Sequence, residues 1–274
     1  MSEKKTNQVA VIIPLHKIDF TPSEYFSFQN TIKVLAKYHI YIIGPQRLNE
    51  YFQSEPCFSN LKLKVFKNKY FENTSGYNEL MFSRLFYNSF SIYKYILIIQ
   101  TDALVFSDKL EYWCNQNYSY VGAPWFEGME NPTKPLTFFG VGNGGFSLRK
   151  VEDFLNVLYF PRYIKNKLLD DSITFSGIAF VIQKMIHKVF FSYNFPPLFP
   201  RLQEDAFWGI LVPDNCSFFK VPDAAEASKF AFEAEPKYLY KLNDQVLPFG
   251  SHAWERYDSE FWKNTLKEHG ITLP

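Results

Sequence analysis

Net charge, cysteine and long apolar runs are all scarce in this chain, and each scarcity removes a class of function. Basic and acidic residues nearly cancel, leaving a formal charge of +1, and no basic cluster interleaved with aromatics marks a nucleic-acid face. The nearest thing to a charge run, Glu3-Lys4-Lys5, reads as a solvated terminus. Cys57, Cys114 and Cys216 stand far apart with no CxxC pair, which argues for a reducing compartment and against a disulfide framework or a structural zinc site. Met1 to Gln8 is polar, so no secretory leader is expected. The most apolar patch, Ile178 to Phe191, is interrupted by Gln183, Lys184, His187 and Lys188 and is no transmembrane helix. A cytoplasmic protein is expected, with that patch as a peripheral contact at the inner face of the membrane. There is no internal repeat and no low-complexity segment.

What the chain has in excess is aromatic side chains, 19% of 274 residues, with 30 Phe and 18 Tyr. Most of them belong in a core that a chain of this length can bury. The stretch Tyr95 to Ile99 is apolar throughout and rich in β-branched residues, the pattern of a strand covered on both faces in a parallel sheet. A single acid, Asp102, follows it. Ligands of open α/β sheets bind at the carboxyl ends of strands, and a carboxylate there has to be capped, paired or bound to a metal.

Taken in order, the first hundred residues alternate strand and helix. Val9 to Pro14 is another buried-strand run. Thr21-Pro22-Ser23-Glu24 carries a helix start, with Thr as N-cap, Pro at the first position and Glu three residues on. Tyr25, Phe28, Ile32 and Leu35 continue it as one apolar stripe, and His39 to Ile43 is the next strand. Leu61 to Phe66 alternates and reads as a peripheral strand. Glu79 to Ser91 reads as one helix leading into the central strand. This is a βαβ half-sheet of nucleotide-binding type. Residues 1–106 are expected as one half, of nucleotide-binding type, and 107–274 as the other half of one α/β domain with a mixed, mostly parallel sheet. In the second half, short elements are expected at 109–115 (helix) and 118–121 (strand), a turn with an exposed Trp125, a helix from Val151, a helix near Ser176 to Lys188, strand and turn over 212–221, and a terminal helix at 260–268. His39 and His269 read as structural.

Four blocks carry chemistry: Gln100-Thr101-Asp102-Ala103, Gly142-Asn143-Gly144-Gly145-Phe146-Ser147-Leu148-Arg149, Glu204-Asp205-Ala206-Phe207-Trp208, and Phe249-Gly250-Ser251-His252-Ala253-Trp254. Singly, a glycine pair reads as a turn, an acidic pair as a helix N-terminus and a lone histidine as surface or core. Together and in this order the chain resembles glycosyltransferases of the GT-A fold, more closely an uncharacterised group of sugar transferases that shares the four blocks. A more distant likeness is to fringe-type galactosyl- and N-acetylglucosaminyltransferases.

The resemblance implies transfer of a sugar from a nucleotide-sugar donor, a UDP-sugar first, to a hydroxyl of a glycan or glycoconjugate acceptor, including a lipid-linked one. Asp102 and the late His252 match the family's metal ligands, for one Mn²⁺ or Mg²⁺ that neutralises a leaving diphosphate; imidazole favours Mn²⁺. The usual Asp-x-Asp is here Asp102-Ala103-Leu104, so the second acid is missing and metal independence stays open, with Arg84 and Arg149 as the replacing cations. Asp205 matches the base for an inverting transfer, with Glu204 as an alternative base or acceptor ligand. Pro14, His16, Tyr77 and Thr101 fall where base, ribose and donor lie. Asn143, Gly144 and Gly145 would approach the donor sugar closely. Trp125 and Trp208 are candidates for stacking on sugar faces, with core packing as their alternative. Two other readings remain: a non-catalytic nucleotide- or sugar-binding module of the same fold, and a retaining transferase. A two-metal hydrolase is disfavoured because no second cluster of acids or histidines is present.

Overall fold

The computed structural model describes residues 8–159 and 203–273; the helix expected near Ser176 to Lys188 and the apolar patch at 178–191 lie outside them. The apolar runs do form the interior of a sheet. Strands β1 (Val9–Pro14), β2 (His39–Pro45), β3 (Lys62–Phe66) and β4 (Tyr95–Ile99) pair in parallel in the order β3-β2-β1-β4. Two strands from the second half extend the sheet: β9 (Phe146–Lys150) runs antiparallel to β4, and β6 (Tyr120–Val121) antiparallel to β9. The six-stranded sheet is thus mixed and mostly parallel, as expected.

Alternate residues of the central strands enter two separate apolar layers, which is why their sequences are apolar without interruption. Val9, Val11, Ile13, Tyr95, Leu97 and Ile99 face one layer; Ala10, Ile12, Ile96 and Ile98 face the other. Helix α1 (Pro22–Val34) covers the first, contributing Phe28. Its start has the expected capping box, with Thr21 Oγ1 accepting from Glu24 N–H and the Glu24 carboxylate accepting from Thr21 N–H at 2.7 Å. Helices α3 (Thr74–Met81), α4 (Arg84–Asn88) and α6 (Val151–Tyr159) cover the second. The single helix expected at 79–91 is two, because Ser83 caps a new helix by accepting from Phe86 N–H. This layer is dense in aromatics; the rings of Phe154 and Trp208 are 4.2 Å apart.

A second, three-stranded sheet, order β10-β11-β5, is built from Ala231–Phe232 (β10), Gly250–Ser251 (β11) and Leu104–Val105 (β5). β11 runs parallel to β10 and antiparallel to β5. The chain therefore enters β5 and leaves β10 and β11 at one common edge. Elsewhere, β7 (Pro124–Phe126) pairs with β8 (Phe138–Val141), so Trp125 is a strand residue rather than a turn residue. The strand expected within 212–221 is replaced by helix Val212–Asn215, which continues from Glu204–Ala206 through a π-helical turn at Phe207–Leu211.

Candidate active site

Two features of topology place the chemistry-bearing blocks together. At the carboxyl end of β4, Ile99 pairs with Phe146 at the start of β9, and Gln100 N–H donates to Gly145 O at 2.7 Å. The Gln100-Thr-Asp102 block therefore lies against the Asn143-Gly144-Gly145 turn. The common edge of the small sheet then delivers Asp102 before β5, Glu233 after β10 and His252 after β11.

Asp102 Oδ1 lies 3.4 Å from His252 Nε2, with the aspartate side chain 50% exposed and the histidine 14%. Gln100 Oε1 is 3.2 Å from the same nitrogen. On the other side of the ring, Nδ1 is 2.8 Å from Asn143 Nδ2 and 3.0 Å from Glu233 Oε1. Asn143 adopts a left-handed backbone (φ 65°) and donates from Nδ2 to Glu233 Oε1 at 2.6 Å. Its Oδ1 accepts from the N–H groups of Gly145 and Phe146, both at 3.2 Å. A side chain at Gly145 would collide with this arrangement, since a Cβ there would lie 2.1 Å from His252 Nε2 and 2.8 Å from Gln100 Oε1. Burial works against a charged His252, but hydrogen bonds to Asp102 and then to Glu233 overcome it and raise the imidazole to about 10. Burial likewise pushes Asp102 upward, but its bond to His252, the charge of that ring and weaker backbone and Arg256 contributions together leave it below its ordinary value.

Asp205 stands one peptide away. Its Oδ2 accepts from Gly144 N–H at 3.2 Å and its Oδ1 from Ala206 N–H at 2.8 Å. Burial raises its pKa against those two bonds, and the charge of Glu233 adds to the rise. Its neighbour Glu204 does something else. It is 3% exposed and forms a two-pronged bridge to the fully buried Arg149, Oε1 to Nη2 at 2.7 Å and Oε2 to Nη1 at 2.9 Å. Arg149 also donates to Tyr87 Oη at 3.0 Å, and its guanidinium lies 5.5 Å from the ring centre of Tyr120. Burial opposes its charge, yet the carboxylate of Glu204 holds it well above its ordinary value.

The expected site residues thus fall into four groups. Asp102, His252, Asn143, Gly144, Gly145 and Asp205 meet. Pro14, His16 and Thr101 gather with Leu15, Lys17 and Phe20 around a hollow of about 10 Å³ beside the end of β1; partial burial and then Lys17 lower His16. Tyr77 presents a buried hydroxyl with no hydrogen-bond partner, within electrostatic reach of Arg149, Glu204 and Asp205.

The remaining candidates stand apart from these. Glu204 and Arg149 are sealed against each other, so neither serves as base, acceptor ligand or phosphate-binding cation. Trp208 is fully buried and packs on Phe154 and Phe219, leaving no face for a sugar. Trp125, expected exposed, is 7% exposed, and its ring occupies the space a side chain at Gly142 would need. The Arg84 guanidinium rests 4.8 Å over the Tyr159 ring. Glu233 was not among the expected residues, although it joins His252, Asn143 and the field at Asp205. A larger hollow of about 200 Å³, lined by Ile42, Phe52, Phe58, Leu61 and Leu63 among others, shares no residue with this cluster.

The fit to a divalent ion can be judged from the donors. A carboxylate oxygen and an imidazole nitrogen 3.4 Å apart are spaced as neighbouring ligands on an ion with bonds of about 2.0–2.2 Å. The carboxylate behind the imidazole is the usual support of a ligating histidine. Among the described residues no group of three or more His, Cys, Asp or Glu is arranged to hold an ion. The protein would therefore supply two ligands and a substrate's phosphates the others, as is common for ions that act on phosphates. Position 104, where a second acid would stand, is Leu104, fully buried in β5.

Among the described residues no helix is long and apolar enough to cross a membrane. A family described as "Protein of unknown function (DUF5672)" matches residues 60–252, and no curated protein matches the sequence. Three solved structures are similar in chain course. An active-site variant of LgtC is 10% identical over 94% of this chain and 95% of its own, with a TM-score of 0.48. The glycosyltransferase GlyE of Streptococcus pneumoniae TIGR4 is 13% identical over 94% and 60%, at 0.44. Mouse xyloside xylosyltransferase 1 is 11% identical over 89% and 96%, at 0.43. With TM-scores this low, the reading of the site rests on its own geometry.

Proposed function

We propose that this chain, which belongs to the DUF5672 family of proteins of unknown function, is a glycosyltransferase that moves a sugar from a nucleoside-diphosphate donor, a UDP-sugar by resemblance, to an acceptor hydroxyl. The observation that carries the reading is the contact of Asp102 with His252 beside the glycine pair, with Asp205 bonded to the Gly144 peptide. The Gly144-Gly145 backbone lets Glu204 and His252 come closer than a Cβ at either position would allow.

The charge of the cluster argues for a bound cation. Asp102, Glu233 and Asp205 place three carboxylates against one imidazole, and Arg149 is committed to Glu204. A diphosphate brought to that cleft needs positive charge with it. Asp102 and His252 would hold a divalent ion, Mn²⁺ before Mg²⁺, which supplies Lewis-acid charge to the leaving diphosphate. Asp205, held by two backbone N–H groups, would accept the proton of the acceptor hydroxyl. That oxygen forms a bond to the anomeric carbon as the bond from that carbon to the phosphate oxygen breaks, with inversion. A raised carboxyl makes a better base near neutral pH than an ordinary one, and general-base help is worth about 10²–10⁴ in rate. A non-catalytic binding module is the second reading, favoured by the single acid at Asp102-Ala103-Leu104.

The test is release of nucleoside diphosphate from a panel of sugar nucleotides with Mn²⁺ and mixed glycan acceptors. Turnover of one donor, lowered at least tenfold in Asp205→Asn, supports the transferase. Binding without turnover supports the module.

A further inference from the structure

Tyr77 lies in α3, and its neighbours hold that helix in place. A Cβ at Gly76 would stand 2.1 Å from Lys69 O, so the first turn is seated against the segment before it. Asn78 donates from Nδ2 to Gln203 Oε1 at 2.9 Å and accepts from Glu204 N–H at 3.4 Å, which fastens α3 to the start of the Glu204-Asp205 helix. The Tyr77 ring packs against the second apolar layer. Its oxygen is closed to solvent and has no hydrogen-bond partner among the described residues. Burial raises the phenol above its ordinary value against the pull of Arg149, and the carboxylates of Glu204 and Asp205 add to the rise, so the proton stays on oxygen. Gln100 favours the phenolate, as an amide donor turned toward the oxygen does. What is left over is the O–H itself, a donor with no acceptor.

A buried donor in that state costs stability, and a ring kept for packing alone would be served by phenylalanine without that cost. An unsatisfied group that the fold retains calls for a partner from outside it. The Tyr77 oxygen is within reach of two parts of the site at once. Gln100 lies 3.2 Å from His252 Nε2, and Asp205 is bonded to the Gly144 peptide. With the cation seat at one end and the base at the other, the sugar ring has to lie between them. A phosphate oxygen beside Tyr77 would be repelled by Glu204 and Asp205; a neutral sugar hydroxyl would not.

We propose that the Tyr77 hydroxyl donates a hydrogen bond to a hydroxyl oxygen of the sugar being transferred, and so selects donors that carry that hydroxyl. The inference rests on the nucleotide-sugar reading above and assigns a specificity-determining residue within it. A site built to bond a substrate hydroxyl rejects the analogue that lacks it, because its own polar group is then left unpaired.

The test is Tyr77→Phe in the full chain, which removes one oxygen and keeps the ring. UDP, UDP-glucose, UDP-galactose and UDP-N-acetylglucosamine are titrated calorimetrically with Mn²⁺, followed by the monodeoxy analogues of the sugar that binds. Tyr77→Phe is expected to keep its ligand-free Tm and its UDP affinity, and to bind the sugar nucleotide about 2–10-fold less tightly. One monodeoxy analogue should bind the unaltered protein more weakly than its parent does, and Tyr77→Phe should lose that preference. Unchanged sugar-nucleotide affinity in Tyr77→Phe, equal weakening of UDP and its sugar, or a hydroxyl preference that survives the substitution overturns the proposal. A ligand-free Tm lowered by about 2–4 °C, the mark of one lost internal hydrogen bond, overturns it as well. Binding that depends on Tyr77 without turnover of any sugar nucleotide contradicts the transferase reading and leaves this inference standing. Turnover that Tyr77→Phe leaves unchanged does the reverse, and no binding of any of these nucleotides overturns both.

Discussion

Asp102 and His252 lie far apart in the sequence and meet at 3.4 Å because the antiparallel pairing of β5 with β11 brings the start of one beside the end of the other. If this contact is the cation seat, each partner is needed separately. Asp102→Asn and His252→Ala should each abolish the Mn²⁺-dependent part of donor binding with the fold intact. Calorimetric titration of UDP with and without Mn²⁺ checks this; full Mn²⁺ dependence in either variant contradicts it.

Gly145 offers a probe that removes no functional group. A Cβ at that position would lie 2.1 Å from His252 Nε2, and the strand backbone around it is fixed by pairing with β4. Gly145→Ala should therefore displace the imidazole and weaken Mn²⁺ binding at least tenfold with the fold intact. Unchanged Mn²⁺ affinity would show that the histidine relocates without consequence.

The Arg149–Glu204 bridge is a structural feature beside the site. Removing one partner of a buried pair leaves an uncompensated charge, at a cost of about 3–5 kcal/mol. Arg149→Met should lower Tm by roughly 6–20 °C, taking about 2–4 °C per kcal/mol for a chain of this size. Differential scanning calorimetry reads it, and a fall of only a degree or two would mean that the pair is not closed in solution.

His252 sets a pH dependence of known sign. Burial lowers its pKa, but Asp102 and Glu233 together raise it to about 10 in the metal-free protein, above its ordinary 6.5. Its ion pairs therefore contribute stability that is complete below about pH 6.5 and lost as pH rises through 10. The urea midpoint of the metal-free protein should fall between pH 7 and 10 more steeply than that of His252→Gln. A ligating imidazole must be neutral, so Mn²⁺ affinity should rise over the same range. Parallel midpoint curves for the two proteins would contradict the assignment.

The sheet was legible in the sequence because burial on both faces leaves uninterrupted apolar runs at Val9–Pro14 and Tyr95–Ile99, and Asp102 stood out as the acid ending one of them. His252 and Asp205 were legible only as parts of blocks. Glu233 was not, since Ala231-Phe232-Glu233-Ala234 sits in a two-residue strand too short to show a period; its sole mark is one charge among apolar neighbours. The sealing of Glu204 by Arg149 was equally hidden, because a sequence names two charged residues without saying that they meet. Trp125 looked exposed beside Pro124, but β7 pairs with β8 and turns its ring onto Gly142.

The most direct test of the account is Tm of the unaltered protein across a panel of nucleotides and sugar nucleotides, each with and without Mn²⁺. Ligand at 100 times its Kd stabilises the native state by about 2.7 kcal/mol. A selective rise is expected for one nucleoside diphosphate and its sugar, present with Mn²⁺ and absent without it. No rise with any of them, or an equal rise with the ion omitted, would contradict a cation-assisted nucleotide-sugar site built on Asp102 and His252.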